Sequence, residues 1–221
     1  YVNDTPLNFK TFTIKATVLD DDTQSASAST TVQIEKPPEP LEITEIVVNG
    51  GAAQRSDIEK IEVTFNRNTN LQELIDSGTI GNAVKIVGVA GETSPRNFAY
   101  DAAEARLTIY LADANQLSVQ QNGWFTLQLD STLVHAKADP ANRLLDRDGE
   151  EDNIHRFDFH RLRGDLNGDT VVDLKDRDQF FSRYGSMEGS DRYEDAFDLD
   201  ANGLINIADY LAWTRLFGNR I

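Results

Sequence analysis

Asp165-Leu166-Asn167-Gly168-Asp169-Thr170-Val171-Val172-Asp173-Leu174-Lys175-Asp176 opens the C-terminal part of the chain. Asp198-Leu199-Asp200-Ala201-Asn202-Gly203-Leu204-Ile205-Asn206-Ile207-Ala208-Asp209 repeats its pattern 33 residues later. Oxygen-bearing side chains stand at positions 1, 3, 5, 9 and 12 of both stretches. Each runs into a segment of helical period, Leu174–Tyr184 and Ile207–Phe217. In the second, Tyr210, Trp213 and Phe217 fall at i, i+3 and i+7, with Leu211 beside them. The same offset aligns Phe180 with Trp213, Tyr184 with Phe217, and Gly185 with Gly218, glycines placed where each helix should stop. The tail is an internal duplication of a loop followed by a helix.

The spacing is that of a twelve-residue EF-hand calcium loop. Calcium is a hard ion that takes about six to eight oxygens, and a tight turn points alternate residues at it. The predicted ligands of loop one are Asp165, Asn167, Asp169, the Val171 carbonyl, Asp173 and Asp176. Those of loop two are Asp198, Asp200, Asn202, the Leu204 carbonyl, Asn206 and Asp209. Two Ca²⁺ ions are expected. At position 8, the apolar Val172 and Ile205 are expected to join the loops by a short strand pairing. Two departures from the standard loop matter. Position 12 is Asp rather than Glu in both loops, a shorter arm. Position 6 is Gly203 in loop two but Thr170 in loop one, and a β-branched residue in a left-handed turn costs about 1–2 kcal/mol. Charge pulls the other way, with four carboxylates in loop one and three in loop two. The alternative is a pair of turns that merely cap helices. A duplicated five-position match, each followed by an apolar-faced helix, weighs against it.

Charge points to cations as well. Lys and Arg number 21 and Asp and Glu 37, a net −16, which argues against nucleic acid or an anionic membrane as partner. The excess is densest in residues 164–221, which hold 12 acids and 6 bases. Cysteine is absent, so disulfides, thiolate nucleophiles and zinc–cysteine sites are excluded. No apolar run approaches the roughly 20 residues of a membrane-spanning helix. Tyr1 is not an initiator methionine and no leader-like run follows it, so the sequence reads as a segment of a longer chain.

Upstream of the repeat the period is that of strands. Lys36-Pro37-Pro38-Glu39-Pro40 is a stiff linker, placed at 37–40. Before it, Phe9–Leu19 and Ser27–Ile34 read as two strands around an Asp20–Thr23 loop. After it, alternation recurs at Ile43–Val48, Glu59–Asn66, Val84–Val87, Leu107–Leu111, Phe125–Leu129 and Ile154–His160. Asn49-Gly50-Gly51, Ser77-Gly78 and Asn122-Gly123 supply turns. Asn70–Asp76 and Asp113–Val119 hint at short helices. The expected fold is mainly β with a small all-α C-terminal module. An antiparallel β-sandwich spans residues 41–162 and the calcium module spans 163–221.

Three resemblances sharpen this. Residues 1–36 resemble the last hairpin of an incomplete Ig-like or polycystic-kidney-disease-type domain, and 41–162 resemble a bacterial Ig-like sandwich. The duplicated loop-helix resembles a type I dockerin. That implies a module which docks on a cohesin-like partner, in assemblies that degrade polysaccharide. Dockerins often read partner choice at positions 10 and 11, commonly Ser-Thr-like; here these are Leu174-Lys175 and Ile207-Ala208. Asn49–Ser56, Phe159–Leu162, the repeat and Tyr193–Asp200 together resemble the C-terminal regions of large secreted planctomycete proteins.

Lesser candidates complete the reading. Asp146, Asp148, Glu150 and Asp152 alternate in an acidic loop and make a possible third calcium site, with a solvated turn as the alternative. His155 and His160 lie five apart on a predicted strand, face opposite sides, and are expected to play structural or surface roles rather than hold zinc. Trp124 and Phe125, with Tyr100 and Tyr110, are weighed as a sugar platform against ordinary packing. No G-x-S-x-G, P-loop or H-E-x-x-H motif is present, and no enzyme is expected. The function expected is that of a calcium-stabilised docking or attachment module, monomeric, extracellular or on a cell surface. A spacer whose calcium module docks on its own sandwich, and a carbohydrate-binding β-domain, are the alternatives. Exposure of Leu174, Phe181 and Tyr210 would favour docking to another protein; their burial on residues 41–162 would favour the spacer.

Overall fold

The computed structural model describes residues 9–19, 25–35, 39–93, 95, 97–113, 116–117, 121–146 and 152–221. The chain divides into two compact units, Tyr1–Glu39 and Pro40–Ile221.

The first unit is a ribbon of β1 (Phe9–Leu19) and β2 (Ser25–Glu35). They pair antiparallel without a register shift, Ile14 opposite Thr30 and Ala16 opposite Ala28. Thr, Val, Ile and Phe favour the extended backbone. One face carries Ile14, Ala16 and Ala28, and the other carries Thr13, Lys15, Thr17 and Ser29. Ile14 and Val32 are exposed. The predicted Asp20–Thr23 loop lies outside the described residues.

The second unit begins with two four-stranded sheets. The strands in chain order are β3 (Ile43–Val48), β4 (Lys60–Phe65), β5 (Val84–Gly88), β6 (Gly91–Thr93), β7 (Asn97–Asp101) and β8 (Arg106–Tyr110). Two-residue strands β9 (Ala112–Asp113) and β10 (Gln116–Leu117) follow, then β11 (Gly123–Asp130), β12 (His135–Ala136), β13 (Asp139–Arg143) and β14 (Ile154–Arg161). Helices α1 (Leu71–Asp76) and α2 (Ile80–Ala83) separate β4 from β5. One sheet runs β3-β4-β8-β7 and the other β14-β11-β5-β6, all pairs antiparallel. Strict alternation builds the core, because a strand turns every second side chain to the same face. Ile61, Val63 and Phe65 of β4, Leu107 and Ile109 of β8, and Phe125, Leu127 and Leu129 of β11 are all buried in one cluster. Phe125 stacks on Phe159 of β14, ring centroids 5.6 Å apart.

One sequence expectation changes here, and one alternative drops out. The helix hinted at Asp113–Val119 is absent among the described residues: Ala112–Asp113 pairs instead with Gln116–Leu117. Asp113, Asn115 and Ser118 make so short a stretch a weak helix signal, because such side chains compete with the helix by local hydrogen bonding. The aromatic platform is also not formed. Trp124 points outward from one sheet, whereas Tyr110 points outward from the other. Tyr100 turns toward the core, and its hydroxyl accepts the Thr69 N–H at 2.8 Å.

Beyond β14 lies a second apolar cluster: Leu162, Leu166, Val172, Phe180, Ala196, Phe197, Ile205 and Trp213. It is covered by α3 (Leu174–Arg183) and α4 (Ile207–Thr214), each ending at a glycine-bearing exit, Gly185 at φ 80° and Gly218 at φ 88°. The position 8 residues do not join the loops to each other, as the sequence had predicted. Val172 exchanges backbone bonds with Asn219 and Gly218, after α4, and Ile205 with Ser186 and Gly185, after α3. Each loop is thus tied to the exit of the other's helix. A short strand needs a free extended partner, and the two exits supply it.

Leu127 is fully buried, opposite Ile86 on β5 and Phe157 on β14. Leu127→Ala is expected to cost about 2–5 kcal/mol, read as a lower urea midpoint. Val89→Ala, at a position 83% exposed, should move it by less than about 0.5 kcal/mol.

Candidate metal centre

The loops are built around two carboxylates each. In loop one the fully buried Asp176 accepts the N–H groups of Leu166 (2.7 Å), Asn167 (3.1 Å) and Asp173 (2.7 Å). In loop two the fully buried Asp209 accepts those of Leu199 (2.8 Å), Asp200 (3.2 Å) and Asn206 (2.8 Å). Position 12 therefore closes its loop from within the first turn of the helix. Position 9 completes the closure as the helix N-cap: Asp173 accepts the Lys175 N–H and Asn206 the Ala208 N–H, each within a reciprocal capping box. The short Asp arm at position 12 is the N3 partner of that box, which is one reason an Asp serves there.

Position 1 organises the turn. Asp165 accepts from Gly168 (2.6 Å), Asp169 (3.2 Å) and Thr170 (3.0 Å), and Asp198 from Asn202 (3.1 Å) and Gly203 (2.7 Å). Wrapping the chain around one carboxylate needs left-handed backbone at two places. Positions 4 and 6 have φ 80° (Gly168) and 72° (Thr170) in loop one, and 55° (Ala201) and 81° (Gly203) in loop two. Each loop thus has one glycine and one strained residue, in opposite order. The order has a cause in loop one: a Cβ on Gly168 would come within 2.3 Å of the Ala53 carbonyl oxygen.

Ala53 belongs to the turn Asn49–Ser56, and this turn seats loop one. The Arg55 N–H donates to the Asp165 carbonyl at 2.8 Å, the Leu162 N–H to the Arg55 carbonyl at 2.9 Å, and the Gly164 N–H to Ser56 Oγ at 3.0 Å. Asn49 holds the turn closed, accepting from Glu59 and Lys60 and donating to the Asp57 carbonyl. Trp213 Nε1 donates to the Gly164 carbonyl at 3.0 Å, so α4 is fixed to the same corner.

The loops differ in electrostatics. In loop one Lys175 Nζ lies 2.8 Å from Asp169 Oδ2, and this bond holds the Asp169 carboxyl below the usual range. Burial raises Asp176, against the pull of its three N–H donors. In loop two position 11 is Ala208, and no such cation exists. Carboxylate oxygens of Asp198, Asp200 and Asp209 lie within 4.8 Å of one another. Among the described residues no Lys, Arg or His pairs with any of the three. Asp200 is raised by burial and then by the charge of Asp209. Asp198 is lowered: burial pushes it up, but the Tyr193 hydroxyl and the Gly203 and Asn202 N–H groups outweigh it. Three converging carboxylates are a donor set that fits a hard divalent cation.

Of the twelve sequence-predicted positions, the structure brings together the carboxylates of Asp198, Asp200 and Asp209; those of Asp165, Asp169, Asp173 and Asp176 form no such cluster, and Val171 and Leu204 lie in isolated bridges to Arg220 and Met187. The third candidate falls partly outside the described residues, where Asp148 and Glu150 lie; Asp152 is bound to Arg156 and the Ile154 N–H. Two residues were missed. His160 Nε2 meets Asp165 Oδ2 at 3.0 Å, and the Tyr193 hydroxyl donates to Asp198 Oδ2 at 2.7 Å. The structural or surface role expected of His160 is compatible with this bond. The signal was present: the offset of 33 that aligns the loops also aligns His160 with Tyr193.

No protein-family model matches the chain. No curated protein matches it either. Among solved structures it is similar to domains 1-6 of the surface layer protein SbsC, at 13% identity and a TM-score of 0.34, over 56% of this chain and 14% of that one. A crystal structure of the S-layer protein rSbsC(31-844) is similar at 12% identity and 0.34, over 54% and 13%. A type II cohesin-X-dockerin complex from Acetivibrio cellulolyticus is similar at 15% identity and 0.26, over 62% of this chain and 82% of that one. The chain spans about a seventh of the surface-layer protein's matched chain.

Thr170 is the costlier of the two strained residues, because its Cβ is branched. Thr170→Gly is expected to raise the unfolding free energy of the metal-free protein by about 0.5–1 kcal/mol, net of the entropy a glycine adds to the unfolded chain. Gly168→Ala should lower it. Urea melts in chelator read both.

Proposed function

We propose that this chain is the calcium-binding, non-catalytic C-terminal region of a secreted or cell-surface protein, and that its paired loop-helix units are a dockerin-like docking module. The observation that carries the reading is loop two. Asp198 and Asp209 are buried, Asp200 stands beside them, and no cation among the described residues pairs with the three. A buried charge is stable only when it is paired or coordinates a metal. Calcium would be held in loop two by Asp198, Asp200, Asn202, the Leu204 carbonyl, Asn206 and Asp209. The matching set in loop one is Asp165, Asn167, Asp169, the Val171 carbonyl, Asp173 and Asp176. The ion supplies positive charge and nothing else. Two divalent ions would bring residues 164–221 from −6 to −2. The chain's own residues do the rest: Asp176 and Asp209 close the loops, Asp173 and Asn206 start the helices, and Val172 and Ile205 fasten each loop to the other's helix exit. Calcium at the millimolar levels found outside cells saturates even weak loops, which supports an extracellular or cell-surface setting.

The helices support docking to another protein. Leu174, Phe181, Ile207, Leu211 and Phe217 are each about half exposed, at 49–56%. Tyr210 is half-buried against Phe180, Phe181 and Trp213. Exposed apolar side chains on so acidic a protein are the mark of an interaction face. A cohesin-like protein, in an assembly that degrades polysaccharide, is the partner class the dockerin resemblance implies. A second reading has its own observation: the Ala53–Gly168 contact and the Arg55–Asp165 bond join loop one to the sandwich, which favours a spacer with its calcium module docked internally. The two are compatible, since the contact uses loop one and leaves the exposed helix residues free.

Calorimetric titration of the full chain with calcium tests the reading. Two sites are expected, and Asp200→Ala, an exposed ligand whose loss spares the fold, should abolish or severely weaken one of them. A titration without heat above dilution would remove the calcium reading.

A further inference from the structure

The repeat does not begin at position 1 of each loop. Five residues upstream of each first carboxylate stands a side chain that bonds to it: His160 for Asp165 and Tyr193 for Asp198. The two bonds are made to equivalent oxygens. Asp165 Oδ2 takes His160 Nε2 at 3.0 Å and the position 6 N–H (Thr170) at 3.0 Å. Asp198 Oδ2 takes the Tyr193 hydroxyl at 2.7 Å and the position 6 N–H (Gly203) at 2.7 Å. Different residue types, on a strand end in one case and after a turn in the other, converge on one atom of the loop. Common descent of the two units would explain the spacing but not the chemistry, since the donor survives a change from imidazole to phenol.

We propose that His160 and Tyr193 are positioning residues of the two cation loops, each fixing the first carboxylate in the rotamer that faces the ion, and so setting the affinity of its loop. This rests on the calcium reading given above. The physical reason is that position 1 has to be ordered before the ion arrives. A carboxylate held only by backbone N–H groups of its own turn moves with that turn. One held from outside the loop does not. Outer ligands of this kind commonly change metal affinity by about 10–100-fold when removed. The anchors are themselves fixed from outside the loop. His160 is buried, and its ring lies against Trp124 with centroids 5.2 Å apart. Tyr193 packs on the Phe197 and Trp213 cluster. Because His160 sits on β14, the proposal also makes the sandwich part of loop one's binding site, whereas loop two is anchored from within the tail.

The test is calcium calorimetry on the full chain, alongside thermal melts in chelator, for wild type, Tyr193→Phe, His160→Phe and His160→Gln. Tyr193→Phe removes one hydroxyl and keeps the ring. It should weaken one of the two binding steps about tenfold, leave the other, and leave the melting temperature in chelator where it was. His160→Phe should weaken the other step, and His160→Gln, whose amide nitrogen can reach the same oxygen, should restore most of it. If wild type binds two ions and Tyr193→Phe binds them as tightly, the proposal is overturned while the calcium reading stands. If Tyr193→Phe lowers the melting temperature in chelator and calcium affinity only in proportion, the residue is structural and the proposal is overturned. If wild type binds no calcium, both fall. Should His160→Phe fail to fold, the Tyr193→Phe comparison decides alone.

Discussion

Asp209 is a fully buried carboxylate that takes three backbone N–H groups and has no positively charged partner among the described residues. The C-terminal architecture turns on that group and its twin Asp176. Each is at once the clasp of a twelve-residue loop and the N3 residue of a helix capping box. Removing water from a carboxylate costs several kcal/mol unless charge is returned to it. Three N–H dipoles return part. In loop one Lys175 adds a formal charge nearby, on Asp169. In loop two no described residue does, and Asp198 and Asp200 add to the deficit. Loop two is therefore the stricter claimant on an external cation, although loop one carries more carboxylates. Counting acids ranks the loops one way; the side chain at position 11 reverses it.

The second constraint is the corner where sandwich meets loop. Three backbone-directed bonds and a glycine contact bind Asn49–Ser56 to residues 162–168. The apolar residues form two separate clusters, one from the strands of the two sheets and one under α3 and α4. Gly168 is forced there by both its φ and the Ala53 carbonyl, so the corner explains why loop one bears its strained residue at position 6 instead of position 4. The consequence reaches function. Loop one is shaped partly by the sandwich, and the exposed apolar residues of the helices remain available to another protein.

Much of this was legible in sequence because periodicity carries it. Alternation at Ile61–Phe65, Leu107–Leu111 and Phe125–Leu129 marked β4, β8 and β11, and the duplicated loops marked α3 and α4 with their glycine stops. What could not be read had no local signature. β6, β12 and β13 are short strands without alternation of apolar residues, and form because a neighbouring strand offers an edge. The pairing of Val172 and Ile205 with the opposite helix exits is tertiary. The bond from His160 to Asp165 has no local signature either, because Tyr193, the residue aligned with His160 in the repeat, is of another type. The ammonium of Lys175, at position 11, sits on Asp169, a contact six residues back that spacing alone does not give.

The central claim is that an ion from outside completes the charge of these loops. Amide hydrogen exchange on the full chain, with calcium and with chelator, tests it at the bonds concerned. The account predicts that the Leu199, Asp200 and Asn206 amides, which donate to Asp209, become much slower to exchange in calcium. Amides of β4 and β11 should not change. Equal exchange of the loop two amides in calcium and in chelator would contradict the account.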